Sequence, residues 1–334
     1  MEFMLANVWA AILAFGVLMY VLMDGFDLGI GILFPFAPDN RSRDLMMNSV
    51  APIWDGNETW LVLGGGGLMA AFPVAYATLL PAMYLPALLM LIALIFRGVS
   101  FEFRFKAHTS RHVWDRAFFG GSLCATFAQG IVLGSFIQGF DTRGGQFVGS
   151  AFDWLTPFSL FVGLALVGGY ALLGATWLIV KTEGPLQRWA YRTAQTLAWW
   201  LLAAIAVVSL WTPFLDQSIA ARWFGWPGIA FFSPVPLLTA LALWALFWSL
   251  RKRHTLRPFL FALALFWLSY SGFIISLWPN VVPPNITIYD AAAAPESQLF
   301  LLVGVAFLVP LILAYTAYTY YIFRGKVRAD EGYH

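Results

Sequence analysis

Apolar residues recur in nine long segments, and most of them approach the roughly 20 residues that a helix needs to cross a bilayer. The segments are approximately Val8–Phe34, Glu58–Leu80, Pro81–Phe101, Phe118–Phe140, Trp154–Val180, Trp189–Trp211, Ile229–Leu250, Pro258–Trp278 and Leu299–Phe323. The second and third abut at Leu80–Pro81, so the chain must turn tightly there. No linker interrupts the spacing. The pattern therefore predicts one all-α integral membrane domain over residues 1–334, with nine transmembrane helices.

Composition supports a membrane protein. Hydrophobic residues make up 60% of the chain and charged residues 11%, whereas soluble domains are about a quarter charged. The net charge of +2 gives no reason to expect a nucleic acid as partner. The single cysteine, Cys124, can form no internal disulfide or thiolate cluster. Glu2 precedes the first apolar segment without Lys or Arg, which predicts a retained helix rather than a cleaved signal peptide.

The basic residues orient the chain. With nine helices, only Arg143 and Arg222 of the 19 Lys and Arg fall on the same side as the N-terminus. Cytoplasmic loops of membrane proteins carry the excess of Lys and Arg. The distribution predicts a periplasmic N-terminus and a cytoplasmic C-terminus.

Two acids lie inside the first apolar segment. Asp24 and Asp27 are three residues apart, so a helix places them on one face, where two carboxylates repel each other. Ionisable groups within a membrane are costly and are functional candidates by default. The pair is typical of a proton-holding site. The alternative is that the helix ends near Leu28 and both acids are surface groups, but the apolar run resumes through Phe36.

The second helix repeats this spacing near its start, with Asp55 and Glu58. Asp55 can instead be a helix N-cap, with Glu58 favoured by the helix dipole. The orientation above puts both acids on the cytoplasmic side, at the level of Asp24 and Asp27. Four acids at one level indicate a proton uptake route more than four independent caps.

Several further residues have both a structural and a functional interpretation. The run Gly64–Gly67 serves helix packing or the close approach of a lipid-like ligand. Arg97, close to the end of the third predicted helix, pairs with an embedded acid or extends to the interface. Glu102 is expected at the interface, and Asp290 in a local turn.

The histidines limit the redox chemistry. His108, His112, His254 and His334 all fall in predicted cytoplasmic loops or the tail, so no transmembrane helix offers haem an axial histidine. His108 and His112 have a metal-binding spacing, but they lie among basic residues. The chain is expected to be a proton-handling or scaffold subunit without a redox centre of its own.

These residues resemble a known family. Asp24-Gly25-Phe26-Asp27, Trp54-Asp55-Gly56-Asn57, Phe96-Arg97 and the Tyr289-Asp290 region occur in the order found in subunit II of cytochrome bd-type quinol oxidases. The resemblance spans nearly the whole chain. The first two motifs together are highly specific, whereas either alone is weak. The short loops and Asn57-Glu58-Thr59-Trp60 resemble the cyanide-insensitive branch.

The resemblance implies a bacterial inner-membrane heterodimer. Its subunit I would carry two b-type haems and haem d, oxidise quinol and reduce oxygen to water, while this chain would ligate no haem. The fold implied is two four-helix bundles plus one peripheral helix. A small accessory subunit and a bound ubiquinone or other quinone are compatible with the family.

The resemblance also selects residues. The important positions map to Asp27, Trp54 and Asp55. Asp27 and Asp55 would contribute to the cytoplasmic proton route together with Asp24 and Glu58. Trp54, Asn57 and Arg97 are expected to support them. The alternative function is a stand-alone proton-coupled transporter, which predicts broken helices in corresponding halves of the chain. The embedded acids crowd into the first two helices, which favours the oxidase subunit.

Overall fold

The chain is helical through most of its length. The computed structural model describes residues 2–107 and 109–327, so the candidates His108 and His334 lie outside the described residues. The helices are α1 (Glu2–Leu33), α2 (Asn40–Asn48), α3 (Trp54–Ala71), α4 (Pro73–Ala82), α5 (Tyr84–Lys106), α6 (Arg111–Gln138), α7 (Pro157–Lys181), α8 (Gly184–Trp211), α9 (Gln217–Phe224), α10 (Gly228–Phe232), α11 (Pro234–Arg251), α12 (Arg257–Leu277) and α13 (Pro295–Ile322). Two antiparallel hairpins pair β1 (Thr142–Arg143) with β2 (Gln146–Phe147) and β3 (Asn280–Val282) with β4 (Ile286–Thr287).

Eight helical spans of the described residues are long and apolar enough to cross a membrane. They are built on α1, α5, α6, α7, α8, α11, α12 and α13. The predicted all-α membrane protein is confirmed at this level.

The second predicted segment, Glu58–Leu80, is not one helix. It divides into α3 and α4 at Phe72, because Pro73 lacks an N–H and disfavours helical geometry in the residue before it. Phe72 accordingly has φ −134° and ψ 64°. The early turns of α3 carry Asp55, Asn57 and Glu58, which lower its apolar character. The predicted tight turn at Leu80–Pro81 is also displaced, since Pro81 lies inside α4 and the interruption falls at Met83.

The third predicted segment, Pro81–Phe101, ends five residues before the helix that contains most of it. Helix α5 continues beyond Phe101 to Lys106, so Arg97 lies in the helix interior, more than two turns from its end. This places Arg97 against neighbouring helices rather than at a terminus.

Helix α1 lies at the centre of the packing and contacts α3, α6 and α7. Where α1 crosses α7, Gly29 and Gly174 bring the two backbones together: a Cβ on Gly174 would lie 2.5 Å from the carbonyl carbon of Gly29. Only glycine permits this approach. The close crossing fixes the depth of the acids on α1 relative to the rest of the fold.

The ends of the helices fall into two groups. Helices α1, α5, α7, α11 and α13 finish at one end of the protein, where α2 also lies, and we name this the basic end. The segment after α13 is attached there to α7. Lys181 donates to the carbonyls of Phe323 and Gly325, and Lys326 donates to those of Ile179 and Thr182.

Candidate functional site: a buried arginine among three carboxylates

Arg97 is the centre of the site and is fully buried. Its Nη2 lies 2.7 Å from Asp24 Oδ1 and 3.8 Å from Asp27 Oδ2. Its Nη1 donates to Glu58 Oε2 at 3.3 Å. The structure therefore brings Asp24, Asp27, Glu58 and Arg97 into one network, which joins α1, α3 and α5.

The backbone places these groups precisely. Asp24 and Asp27 lie about one turn apart on α1, and Glu58 is in the second turn of α3. Gly121 of α6 packs against α5 at Arg97. A Cβ at Gly121 would lie 2.6 Å from the Ala93 carbonyl oxygen and 2.9 Å from the Arg97 backbone nitrogen. The missing side chain therefore lets the backbones of α6 and α5 approach closely beside the arginine.

Asn57 links the site to the last helix. Its Nδ2 donates to Asp27 Oδ2 at 2.7 Å and to the Met23 carbonyl at 3.2 Å. Tyr320 of α13 donates its hydroxyl to Asn57 Oδ1 at 3.0 Å. Sequence reasoning missed Tyr320, which lies among several tyrosines near the end of the last apolar segment and carries no distinguishing motif.

Two aromatic rings border the arginine. The Trp54 indole stacks on Phe101 with ring centroids 4.9 Å apart and planes 6° apart. The Arg97 guanidinium carbon lies 5.9 Å from the Trp54 ring centroid and 6.0 Å from that of Phe101. Such positions give a cation–π attraction and keep the ion pairs dry. Trp54 therefore packs directly against the arginine, and its supporting role stays a prediction.

The charges of the network do not balance. Three carboxylates surround one guanidinium, and Asp24 and Asp27 are fully buried whereas the Glu58 side chain is 26% exposed. An excess of buried negative charge is strongly unfavourable. Oδ2 of Asp24 and Oδ1 of Asp27 have no hydrogen-bond partner among the described residues. A proton bound to one of the carboxylates would relieve this imbalance.

Asp55 lies apart from this network. It is exposed in the first turn of α3, and Ile53 occupies the N-cap position, so Asp55 is not the cap residue. Asp55 and Glu58 share one face of α3 by their spacing. A cleft of about 500 Å³ opens beside Asp55. It is lined by Ala51, Pro52, Trp54, Asp55, Gly56, Thr59, Glu102, Ile312, Tyr315 and Thr316.

A second polar group continues from Asp24 along α1. Tyr20 lies one turn before Asp24 and accepts a hydrogen bond from Gln129 Nε2 of α6 at 2.7 Å. Tyr170 of α7 donates to Gln129 Oε1 at 3.2 Å. These three side chains tie α1, α6 and α7 together beside the acid cluster.

The other residues singled out in the sequence lie outside the Arg97 network and make local contacts. Gly64 and Gly67 face Val17 and Leu13 of α1, which agrees with helix packing. Glu102 pairs with Lys106 at 3.3 Å, and its side chain is 52% exposed. Asp290 accepts hydrogen bonds from the backbone and hydroxyl of Thr287, so it stabilises a local turn. These bonds also lower the pKa of Asp290.

A further ion-pair cluster lies at the basic end, and the sequence analysis did not predict it. Arg104 is buried, with Nε 2.5 Å from Asp115 Oδ1 and Nη1 2.8 Å from Asp44 Oδ1. Arg111 also pairs with Asp44, and Arg43 lies 3.9 Å from Asp115. The cluster fastens α2 to α5 and α6. Nothing in the residue spacing signals it, because its members come from three separate elements.

The described histidines do not fit a haem site between helices. His112 is exposed in the first turn of α6, and His254 stacks on Trp248 in the turn between α11 and α12. Within residues 2–107 and 109–327, no group of three His, Cys, Asp or Glu is arranged to hold a metal ion. No chemistry is therefore assigned to a haem held by this chain.

Fold and site define a class: a polytopic helical membrane protein with a buried carboxylate–arginine network. The profile of the family described as "Cytochrome bd terminal oxidase subunit II" matches residues 5–323. The chain belongs to this family, whose complexes are terminal quinol oxidases containing haem.

Individual relatives cover nearly the whole chain. It is 28% identical to "Cytochrome bd-I ubiquinol oxidase subunit 2" of Escherichia coli strain K12, over 97% of this chain and 95% of that protein. It is 27% identical to "Cytochrome bd ubiquinol oxidase subunit 2" of Bacillus subtilis strain 168, over 98% of both chains. The fold is similar to a chain in the structure of bd oxidase from Geobacillus thermodenitrificans, with a TM-score of 0.76 and 18% identity over 96% of this chain and 98% of that chain.

Proposed function

We propose that this chain is the haem-free subunit II of a terminal oxidase that couples quinol oxidation to the reduction of O2 to water. Its partner, subunit I, would carry two b-type haems and haem d in a heterodimer, and a small accessory subunit can join them. The observation that carries the proposal is the family match over residues 5–323, and the buried carboxylate–arginine network on α1, α3 and α5 supports it. Ubiquinone or another quinone is the expected electron donor, and the cyanide-insensitive subtype stays a prediction.

The contribution of this chain would be proton delivery from the basic end, which we assign to the cytoplasm. Exposure falls steadily along the candidate residues: Asp55 is exposed, Glu58 is partly exposed, and Asp27 and Asp24 are fully buried. A route that takes protons from water needs this gradient. Asp55 would collect protons at the cleft, Glu58 would pass them inward, and the Asp24–Asp27 pair would hold them.

The remaining residues would position the route. Arg97 touches all three inner carboxylates, so a proton arriving on one changes the attraction felt by the others. Asn57 orients Asp27, and Trp54 packs over the guanidinium. Neither residue needs to titrate for these roles.

Helix α3 would be the ninth membrane crossing. Near its start, Asn57 contacts Tyr320 close to the end of α13, and at its end the Ala71 carbonyl accepts from Gln298 near the start of α13. The two helices thus run antiparallel over the same depth, and α13 is itself one of the eight apolar spans. Eighteen residues extend about 27 Å, close to the hydrocarbon thickness. Nine crossings are compatible with two four-helix bundles and one peripheral helix, a periplasmic N-terminus and a cytoplasmic C-terminus.

Co-purification tests the assignment to an oxidase. A tag on this chain in its own membranes should recover a haem-bearing partner and quinol oxidase activity. The chain expressed alone should show no Soret band, because its described histidines lie outside the helix packing. Stoichiometric haem on the isolated chain, or recovery of the tagged chain without any haem protein, would contradict the assignment of the haems to subunit I.

The same experiment separates the stand-alone transporter. A transporter would be recovered without haem and would move its substrate in vesicles that lack any oxidase. Its embedded acids would also be expected in both halves, whereas the buried acids of the described residues are Asp24 and Asp27 on α1.

A further inference from the structure

The two halves of the basic end differ in how their charges are paired. All the ion pairs among the described residues involve positions between Asp24 and Asp115, on α1, α2, α3, α5 and α6 or next to them. In contrast, the sequence contains no Asp or Glu from Gln217 to Tyr289. The basic end of α11 and α12 therefore carries cations without an acid on either helix, whereas the start of α8 has one acid, its N-cap residue Glu183.

These cations form one surface, which we name the basic corner. It consists of exposed Arg188, Arg192, Arg251, Lys252, Arg253 and Arg257. Tyr191 holds the corner together, because its hydroxyl donates to the carbonyls of Arg253 and His254 and so joins α8 to the turn between α11 and α12. Like charges on one surface repel one another, and an anion bound among them relieves that repulsion.

An ordered set of exposed side chains continues from the basic corner along α11. Leu237, Leu241, Trp244, Trp248 and Arg251 are spaced by four, three, four and three residues, so they form one stripe on a single helix face. All five are exposed. From the first turn of α11 to its basic end, the stripe changes from aliphatic to indole to guanidinium side chains.

This order matches an anionic phospholipid. Aliphatic side chains suit the acyl chains, tryptophans lie at the level where chains meet headgroups, and basic side chains attract the phosphate. Arg257 lies 5.7 Å from the Trp248 ring centroid, so the cationic and indole levels are in direct contact. We propose that the α11 stripe and the basic corner bind an anionic phospholipid, with the phosphodiester at the corner.

A lipid fits this surface better than a protein partner. A protein that covered the corner would have to match an aliphatic face, two stacked indoles and a cluster of cations in one line. The bilayer presents these chemistries in the same order and at the same depths. The competing possibility is that the partner subunit covers the basic corner, and the test below distinguishes it from lipid binding.

The test uses the whole delipidated complex in detergent. The thermal midpoint is measured as dioleoyl phosphatidylglycerol or dioleoyl phosphatidylcholine is added. A triple variant, Lys252→Gln, Arg253→Asn and Arg257→Gln, removes three charges. Asparagine is chosen at position 253 because Arg253 has φ +55°, a region that asparagine tolerates. The matched control, Arg41→Gln, Lys106→Gln and Arg116→Gln, removes three charges from the half of the basic end that contains acids.

The wild-type complex should be stabilised by phosphatidylglycerol and not by phosphatidylcholine. In the triple variant, the phosphatidylglycerol concentration for half the effect should rise at least about tenfold, since each cation contributes roughly fivefold. The control should respond like wild type. A charge-preserving variant, Lys252→Arg, Arg253→Lys and Arg257→Lys, should retain most of the response.

Three results would overturn the proposal. The first is an unchanged lipid response in the triple variant, as expected if the partner subunit covers the corner. The second is equal stabilisation of the wild type by both lipids. The third is the same stabilisation by inorganic phosphate, which would assign the corner to a free anion. If the triple variant fails to assemble, loss of the lipid response in the charge-preserving variant counts against the proposal.

Discussion

At the scale of single residues, Arg97 determines the properties of the site. Its side chain is fully buried and lies within 4 Å of three carboxylates from two helices. The sequence drew attention to the acids through their three-residue spacing inside or beside apolar segments, and three of the four lie around Arg97. It left Arg97 open between an embedded partner and an interfacial group. The choice depends on the packing of α5 against Gly121, which no local pattern reveals.

Arg97→Met should destabilise the complex by roughly 3–5 kcal/mol, because it leaves buried carboxylates without their cation. The measurement is the thermal midpoint of the purified complex. Adding Asp24→Asn should restore part of the loss, since one fewer buried charge then needs a partner. A wild-type midpoint for Arg97→Met would mean that the acids are protonated and independent of the arginine.

The contact between Asn57 and Tyr320 cannot be predicted from the residues of either segment alone. Asn57 was expected to support the site, and its bond to Asp27 explains how. Tyr320 lies 263 positions away in the chain and joins the site only because α13 packs along α3. Contacts at this sequence separation depend on the whole fold.

At the scale of elements, the main difference from the sequence-based prediction lies between residues 54 and 84. Mean hydropathy merges α3 and α4 into one segment, since the leucines and alanines on both sides of Phe72 are alike. Pro73 was the available signal, because proline both ends one helix and begins the next. The eight other apolar spans were recovered, with differences in their boundaries, because each is bounded by polar or basic residues.

Helix α2 depends on Arg104, which lies between Asp44 and Asp115. The N-terminus of α2 is capped by Asp39, which accepts from the Ser42 backbone N–H, and this bond lowers the pKa of Asp39. Without Arg104, α2 keeps its cap but loses its attachment to α5 and α6.

Arg104→Met should therefore expose α2 to proteolysis. Trypsin cleavage after Arg41 and Arg43 is expected to accelerate several-fold, since cleavage requires local opening. Limited digestion of the purified complex, followed by mass spectrometry of the fragments, measures the rate. Lys106→Met is the control, because its pair with Glu102 is exposed and contributes little. Equal rates in both variants would show that Arg104 does not hold α2.

At the scale of the whole molecule, the number of crossings decides the orientation. If α3 crosses the membrane, the termini lie on opposite sides, and if it does not, they lie on the same side. The basic residues give the direction only after this number is known. The pairing of α3 with α13 is the structural support for nine.

A reporter that is active only in the periplasm tests this directly. Fused after His334, it should be inactive, and inserted between Gly144 and Gly145 of the β1–β2 hairpin, it should be active. The hairpin and the end of α13 lie at opposite ends of the fold, because α7, α8, α11, α12 and α13 run between them. Activity at His334 would rule out the nine-crossing arrangement.

The proposed function requires that the acids of this chain carry protons to an oxygen-reducing partner. Its most direct test is oxygen consumption per haem in purified complexes with Glu58→Gln or Asp55→Asn, each of which removes a titrating group and nearly preserves shape. Glu102→Gln is the matched control, since Glu102 borders the same cleft but makes no contact with Arg97 among the described ion pairs. Turnover should be at least several-fold lower in Glu58→Gln and Asp55→Asn, with haem content and the Glu102→Gln rate unchanged. Wild-type turnover in both, at normal haem content, would contradict the proposed function.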